Sequence, residues 1–142
     1  NGLTFCAGSF SAGEHNDCVA MAKQFADRTH FVHLRSCYIF PNGNFTEASH
    51  LGGRGHLIEL CRIFEKAEQE GKCNSGRRLP MRVDHGMTFT DEPGGVFDES
   101  NHGHNAGYTL LGRMFAMGQI QGVIATVDDE LGIEYKQPGF YD

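Results

Sequence analysis

Apolar positions along the chain change period several times, and the changes mark its elements. Leu3 and Phe5 alternate with Thr4 and Cys6, which predicts a short strand over residues 3–7, closed by Gly8. Val19, Ala22, Phe25 and Ala26 recur at helical spacing and predict a helix over residues 14–27. Alternation returns in His30-Phe31-Val32-His33-Leu34-Arg35, a second strand. Residues 36–55 read as a loop that turns at Pro41-Asn42-Gly43-Asn44. Leu57, Leu60, Cys61, Phe64 and Ala67 share one face of a helix over residues 56–70, ended by Gly71. A basic, polar connection over residues 71–79 leads to a third strand, Leu79-Pro80-Met81-Arg82-Val83-Asp84. A glycine-rich loop spans residues 86–107, and Leu111, Met114 and Phe115 predict a helix over residues 108–120, with Gly122-Val123-Ile124-Ala125 extending or following it. Residues 129–142 read as an irregular tail.

Three strand–helix units in succession imply an α/β fold with parallel strands and crossover helices. Three strands are a poor parallel sheet by themselves, because both faces and both edges need cover. The chain opens directly on a strand, at Asn1-Gly2-Leu3, without a Met. The expectation is a segment of a longer domain, and three βα units make just under half of a TIM (β/α)8 barrel.

Composition narrows the partners. Twelve Lys+Arg against 18 Asp+Glu give a formal net charge of -6, which argues against a nucleic-acid surface or a polybasic membrane anchor. No apolar run approaches the ~20 residues of a membrane helix, so no membrane partner is expected. The opening residues carry no signal-peptide pattern. Five cysteines, odd in number and without a CxxC, fit neither a ribbon-type zinc site nor a disulfide framework; a reducing cytoplasm suits them better.

The strands also separate apolar from polar faces. Leu3 and Phe5, Val32 and Leu34, and Met81 and Val83 form faces suited to packing helices. The opposite faces carry Cys6, His33 with Arg35, and Arg82 with Asp84, near the C-terminal strand ends. In a (β/α)8 barrel those faces point inward, and active sites form at the C-terminal mouth. A thiolate, an imidazole and a carboxylate converging there suit a divalent transition ion. Arg35 and Arg82 either meet a carboxylated substrate or pair internally with Asp84 or Glu47. Glu47-x-x-His50 has the spacing of some metal sites, although it lies in the loop; His50 either touches substrate or lies on the surface. Tyr108, at a helix start after the glycine-rich loop, offers an acid/base hydroxyl or a packing ring. His102-Gly103-His104 reads as an exposed loop tip.

Several of these stretches together resemble the mannonate dehydratase family. They are Asn1-Gly2-Leu3-Thr4-Phe5-Cys6, Gln24-Phe25-Ala26-Asp27-Arg28, His30–Arg35, Phe45-Thr46-Glu47-Ala48-Ser49-His50, Pro80-Met81-Arg82-Val83-Asp84-His85-Gly86 and Gly107–Arg113. The resemblance runs in order from residue 1 to about residue 125 and is to the C-terminal part of the family. It implies the C-terminal segment of one barrel domain, with the N-terminal strands absent. It further implies Cys6, His33 and Asp84 as metal ligands and His85 and Tyr108 as catalytic residues, with Arg35, His50 and Arg82 orienting substrate. A further ligand histidine lies, in the family, before the part present here. The sequence departs from the family pattern at Val83, Arg54, His56 and Ala106.

The implied reaction is dehydration of D-mannonate to 2-keto-3-deoxy-D-gluconate in hexuronate (glucuronate) catabolism, with Mn2+ as the cofactor and Fe2+ as its alternative. A homo-oligomer is expected. Competing readings are a metal-dependent sugar isomerase on the same barrel and a non-catalytic partial barrel.

Overall fold

A computed structural model describes residues 1–89 and 107–134. Along the chain run β1 (Leu3–Cys6), α1 (Ala7–Ser11), α2 (Cys18–Phe25), β2 (Thr29–Leu34), β3 (Cys37–Ile39), β4 (Phe45–Glu47), α3 (Leu57–Gln69), β5 (Met81–Val83) and α4 (Leu110–Leu131). Strands β1, β2 and β5 form a parallel sheet in that order. This is the parallel α/β arrangement that the alternating strand and helix patterns predict.

The apolar strand faces are where the core lies. Phe5, Val32, Leu34 and Val83 are buried against Leu57, Leu60, Cys61 and Phe64 of α3 and Ala22 of α2. Phe5 stacks edge-on against Phe64 and Phe10, with centroids 5.2 and 4.9 Å apart. All five cysteines are free thiols.

Four features differ from the sequence reading. The helix expected over residues 14–27 starts only at Cys18, because Asp17 caps it; its Oδ1 accepts from the backbone N–H groups of Val19 and Ala20, both at 3.0 Å. Residues Ala7–Ser11 form a separate short helix, hidden by Gly8 and two serines with no apolar period. The expected loop over residues 36–55 contains the β3–β4 hairpin, antiparallel, with Cys37 opposite Glu47 and Ile39 opposite Phe45. Each strand is three residues long, too short for alternation to show. Lastly, α4 runs unbroken for 22 residues and takes in the start of the expected irregular tail.

That helix also corrects the expectation about apolar length. Its best 18-residue window has a mean hydropathy of 1.2, so by length and composition α4 is long and apolar enough to cross a membrane. Gly118, Gly122, Ala116 and Ala125 disguise it, since no block of large aliphatic residues marks the span. One side of α4, with Ala116, Ile120 and Val127, is buried on the core. Leu110, Leu111, Met114 and Phe115 are exposed. His102, His104 and the rest of residues 90–106 and 135–142 lie outside the described residues.

The α3–α4 contact holds an acidic group. Burial, and then the charges of Asp128 and Glu68, push the Glu65 carboxyl up to about 7 from an ordinary 4.5, against the opposing Arg78. The folded state therefore holds this proton more tightly than the unfolded chain. The stability it contributes is fully present below about pH 4.5 and is lost as pH rises through about 7. Thermal unfolding should show Tm falling across that window, and Glu65→Gln should flatten the fall. An undiminished slope in the variant would refute this account.

Candidate functional site

The parallel register assembles the site. Cys6 on β1 pairs with His33 on β2, and His33 pairs with Arg82 on β5. Strand alternation puts these side chains on the face opposite the core, and Asp84 joins them one residue beyond β5. One ligand atom from each of Cys6, His33 and Asp84 lies within 4.8 Å of the other two. His33 Nδ1 is 3.8 Å from Asp84 Oδ2, near the span of two ligand bonds of ~2.0–2.3 Å to one ion.

The two oxygens of Asp84 have different surroundings. Oδ1 accepts from Arg82 Nη2 at 2.6 Å and from the Tyr108 hydroxyl at 2.7 Å. Oδ2 faces His33 Nδ1 at 3.8 Å and His85 Nε2 at 4.0 Å. Burial disfavours the Asp84 charge, but the hydrogen bonds from Tyr108 and Arg82 outweigh it and hold the pKa below the usual carboxylate value. Burial lowers the His33 pKa, with Asp84 opposing, so its imidazole is neutral and suited to a metal. The hydrogen bond to Asp84, with burial, raises the Tyr108 pKa and keeps the phenol protonated. Ser9 Oγ donates to Cys6 Sγ at 3.1 Å.

His85 and Tyr108 meet edge to face, their ring centroids 4.4 Å apart. On the other side His85 Nδ1 lies 3.2 Å from Glu47 Oε1. Glu47 is gripped at two points by Arg35: Nε donates to Oε2 at 2.9 Å and Nη2 to Oε1 at 2.6 Å. Of the two options open for the arginines, the structure shows internal pairing, Arg35 with Glu47 and Arg82 with Asp84. Arg35 is nearly buried, whereas the Arg82 side chain is 40% exposed beside the triad. His50 is 1% exposed, so it is no surface residue. Its Nε2 is buried without a hydrogen-bond partner among the described residues, and burial lowers its pKa.

Glu47 is the residue the sequence reading undervalued. It figured only as one ion partner for the arginines and as the acidic end of Glu47-x-x-His50. The cue nearest to it was the Asn42-Gly43 turn just before Phe45-Thr46-Glu47, which suits a hairpin but does not say which face Glu47 takes.

The family model for D-mannonate dehydratase (UxuA) matches residues 1–133. The chain belongs to the D-mannonate dehydratase family. Mannonate dehydratase 2 of Agrobacterium fabrum is 38% identical over 133 residues, 92% of this chain and 32% of its own length. The mannonate dehydratase of Saccharophagus degradans is 38% identical over 130 residues, 90% of this chain and 31% of its own. The chain thus spans about a third of the length of these curated dehydratases. The crystal structure of mannonate dehydratase from Streptococcus suis serotype 2 superposes with a TM-score of 0.69 at 21% identity, over 100% of this chain and 38% of that one. At that identity the likeness concerns the fold.

Backbone packing fixes Tyr108 against the strand ends. Gly86 N–H donates to the Gly107 carbonyl at 2.8 Å. A Cβ on Gly112 would sit 1.9 Å from the Met87 carbonyl oxygen, and backbone cannot swing aside as a flexible side chain would. Gly112→Ala is expected to lower unfolding stability by ~1–3 kcal/mol, as overpacking does. Chemical denaturation checks it, and an unchanged midpoint would remove this contact from the account.

Proposed function

We propose that this chain is the metal-holding, C-terminal part of a (β/α)8-barrel hydro-lyase that converts D-mannonate to 2-keto-3-deoxy-D-gluconate and water in hexuronate catabolism. The observation that carries this reading is the meeting of Cys6, His33 and Asp84 with His85 and Tyr108 beside them, in a chain of the D-mannonate dehydratase family. Family membership favours dehydration over sugar isomerisation and over a non-catalytic barrel fragment.

The donor set fits a divalent ion: a sulfur, a neutral imidazole and an ionised carboxylate, each supplying one atom to a common point. We take the ion to be Mn2+, with Fe2+ as the alternative. When bound it would supply Lewis-acid stabilisation of the charge that builds beside a carboxylate as the neighbouring proton leaves.

The residues divide the remaining work. Dehydration removes the proton on C2 and the hydroxyl on C3, and the resulting enol becomes the keto acid. Tyr108, kept protonated by its bond to Asp84, is suited to deliver a proton to the departing C3 oxygen. His85, whose Nδ1 is turned to Glu47, is suited to accept the C2 proton at Nε2. Arg82, partly exposed beside Asp84, would orient the substrate carboxylate. His50 Nε2, buried and without a partner among the described residues, would meet a hydroxyl. Arg35 serves the site through Glu47. Free cysteines suit a reducing cytoplasm. The sheet edges, which pair with nothing further among the described residues, suit association with the rest of a barrel or a second copy.

Two measurements test this reading. In a longer natural protein containing these residues, Cys6→Ser or His33→Ala should release manganese, read by elemental analysis; stoichiometric metal retained in both would refute the ligand assignment. The described residues supply three donors on a three-stranded sheet, so residues 1–142 alone should form no measurable keto acid from D-mannonate with manganese present. A chain including the preceding barrel strands should form it. Failure of that longer chain would move the weight to a non-catalytic role.

A further inference from the structure

The grip of Arg35 on Glu47 and the closeness of Glu47 to His85 form one chain of contacts that metal binding does not require. Glu47 ends β4, and its place follows from the hairpin register opposite Cys37. The hairpin is tied down behind it. Ala48 N–H donates to the Ser36 carbonyl at 2.9 Å, Ser36 Oγ donates to the Gly52 carbonyl at 2.7 Å, and Arg54 N–H donates to the Cys37 carbonyl at 2.9 Å. Arg35 reaches Glu47 past Gly8, where a Cβ would lie 2.2 Å from Arg35 Cδ. The ion pair is nearly out of water, with side chains 13% and 11% exposed. Burying such a pair rarely adds stability over an apolar one, so its geometry calls for another reason.

We propose that Glu47, clamped by Arg35, is a positioning residue that fixes His85 in its Nδ1–H form. The ring then turns Nε2 toward the face that carries Asp84 and Tyr108. Both ring nitrogens face a carboxylate that can only accept. Glu47 Oε1 is 3.2 Å from Nδ1 and Asp84 Oδ2 is 4.0 Å from Nε2, so the nearer contact favours the proton on Nδ1 and the lone pair on Nε2. With Nδ1 bare, the ring would offer Nε2 as a donor and could accept no substrate proton there. Both oxygens of Glu47 are taken up by Arg35, so the carboxylate cannot rotate away. The proposal rests on the reading of His85 as the proton acceptor, but its first test does not.

The first test is the tautomer itself. Nitrogen-15 spectra of the histidine rings, recorded on the folded chain at about pH 8 where imidazoles are neutral, report which nitrogen holds the proton; a His85→Asn spectrum assigns the signals. Wild type should show His85 mainly as the Nδ1–H form, and Glu47→Met should shift it toward the Nε2–H form. Glu47→Met leaves Arg35 buried without its partner, so the double variant Arg35→Met/Glu47→Met serves should the single variant fail to fold. A merely structural ion pair would leave the His85 tautomer unchanged in a folded variant, and that result overturns the proposal.

The second test is kinetic, in the longer dehydratase with its metal content verified. Loss of the Glu47 contact should lower kcat by on the order of 10–100-fold, as loss of groups that orient a ligand histidine does, with KM for D-mannonate little changed and metal retained. A tautomer change with unaltered kcat would support the Glu47–His85 coupling and overturn the part assigned to His85 in the reaction.

Discussion

Everything in this molecule depends on the register of three parallel strands. Cys6, His33 and Arg82 lie side by side because Phe5, Val32 and Leu34 must lie on the other face. Strand side chains alternate, so a slip of one residue would turn the apolar set to the polar side and the ligand set into the core. Each fully buried Phe, Leu or Val contributes roughly 1.5–3 kcal/mol, and several are exposed together by a slip. The core that holds the fold is thus also what aims the thiol, imidazole and carboxylate at one point.

Register explains convergence but not protonation, which comes from the neighbours of each group. Asp84 is buried and still ionised because Tyr108 and Arg82 both donate to Oδ1. That arrangement leaves Oδ2 facing His33 and His85. The same bond that helps Asp84 stay charged keeps the Tyr108 phenol protonated. One contact therefore sets the protonation of two groups in opposite senses, an ionised carboxylate and a protonated phenol.

The legible parts of the sequence were those with a long enough period. Six residues of β2 and thirteen of α3 carry clear alternation or helical spacing. The polar faces of the strands are legible in the same way, which is why the sequence alone puts Cys6, His33, Arg82 and Asp84 together. The hairpin was not legible, because three-residue strands show no period; its order comes from its own ladder and from the bonds that join Ser36, Ala48, Gly52 and Arg54 at its base. Glu47 went unweighted with it. The length of α4 was obscured for a different reason: Gly122 left open whether Gly122-Val123-Ile124-Ala125 extends or follows the helix, and the helix runs through it to Leu131.

The site is accordingly built on two kinds of support. Cys6, His33 and Asp84, the triad that could hold a metal ion, stand on or beside strand ends, where the sheet fixes positions directly. Glu47, His85 and Tyr108 stand on a hairpin and on connections, where the backbone alone would leave freedom. Side-chain contacts supply the missing constraint: Arg35 holds Glu47, Glu47 meets His85, His85 packs on Tyr108, and Tyr108 returns to Asp84. The circuit closes on the triad, so the loop-borne groups take their reference from the sheet through Asp84. A group that must move a proton needs its donor and acceptor atoms held as firmly as a metal ligand is held. Under the proposal made for His85, that firmness comes from the nearly buried Arg35–Glu47 pair, which has little to offer stability.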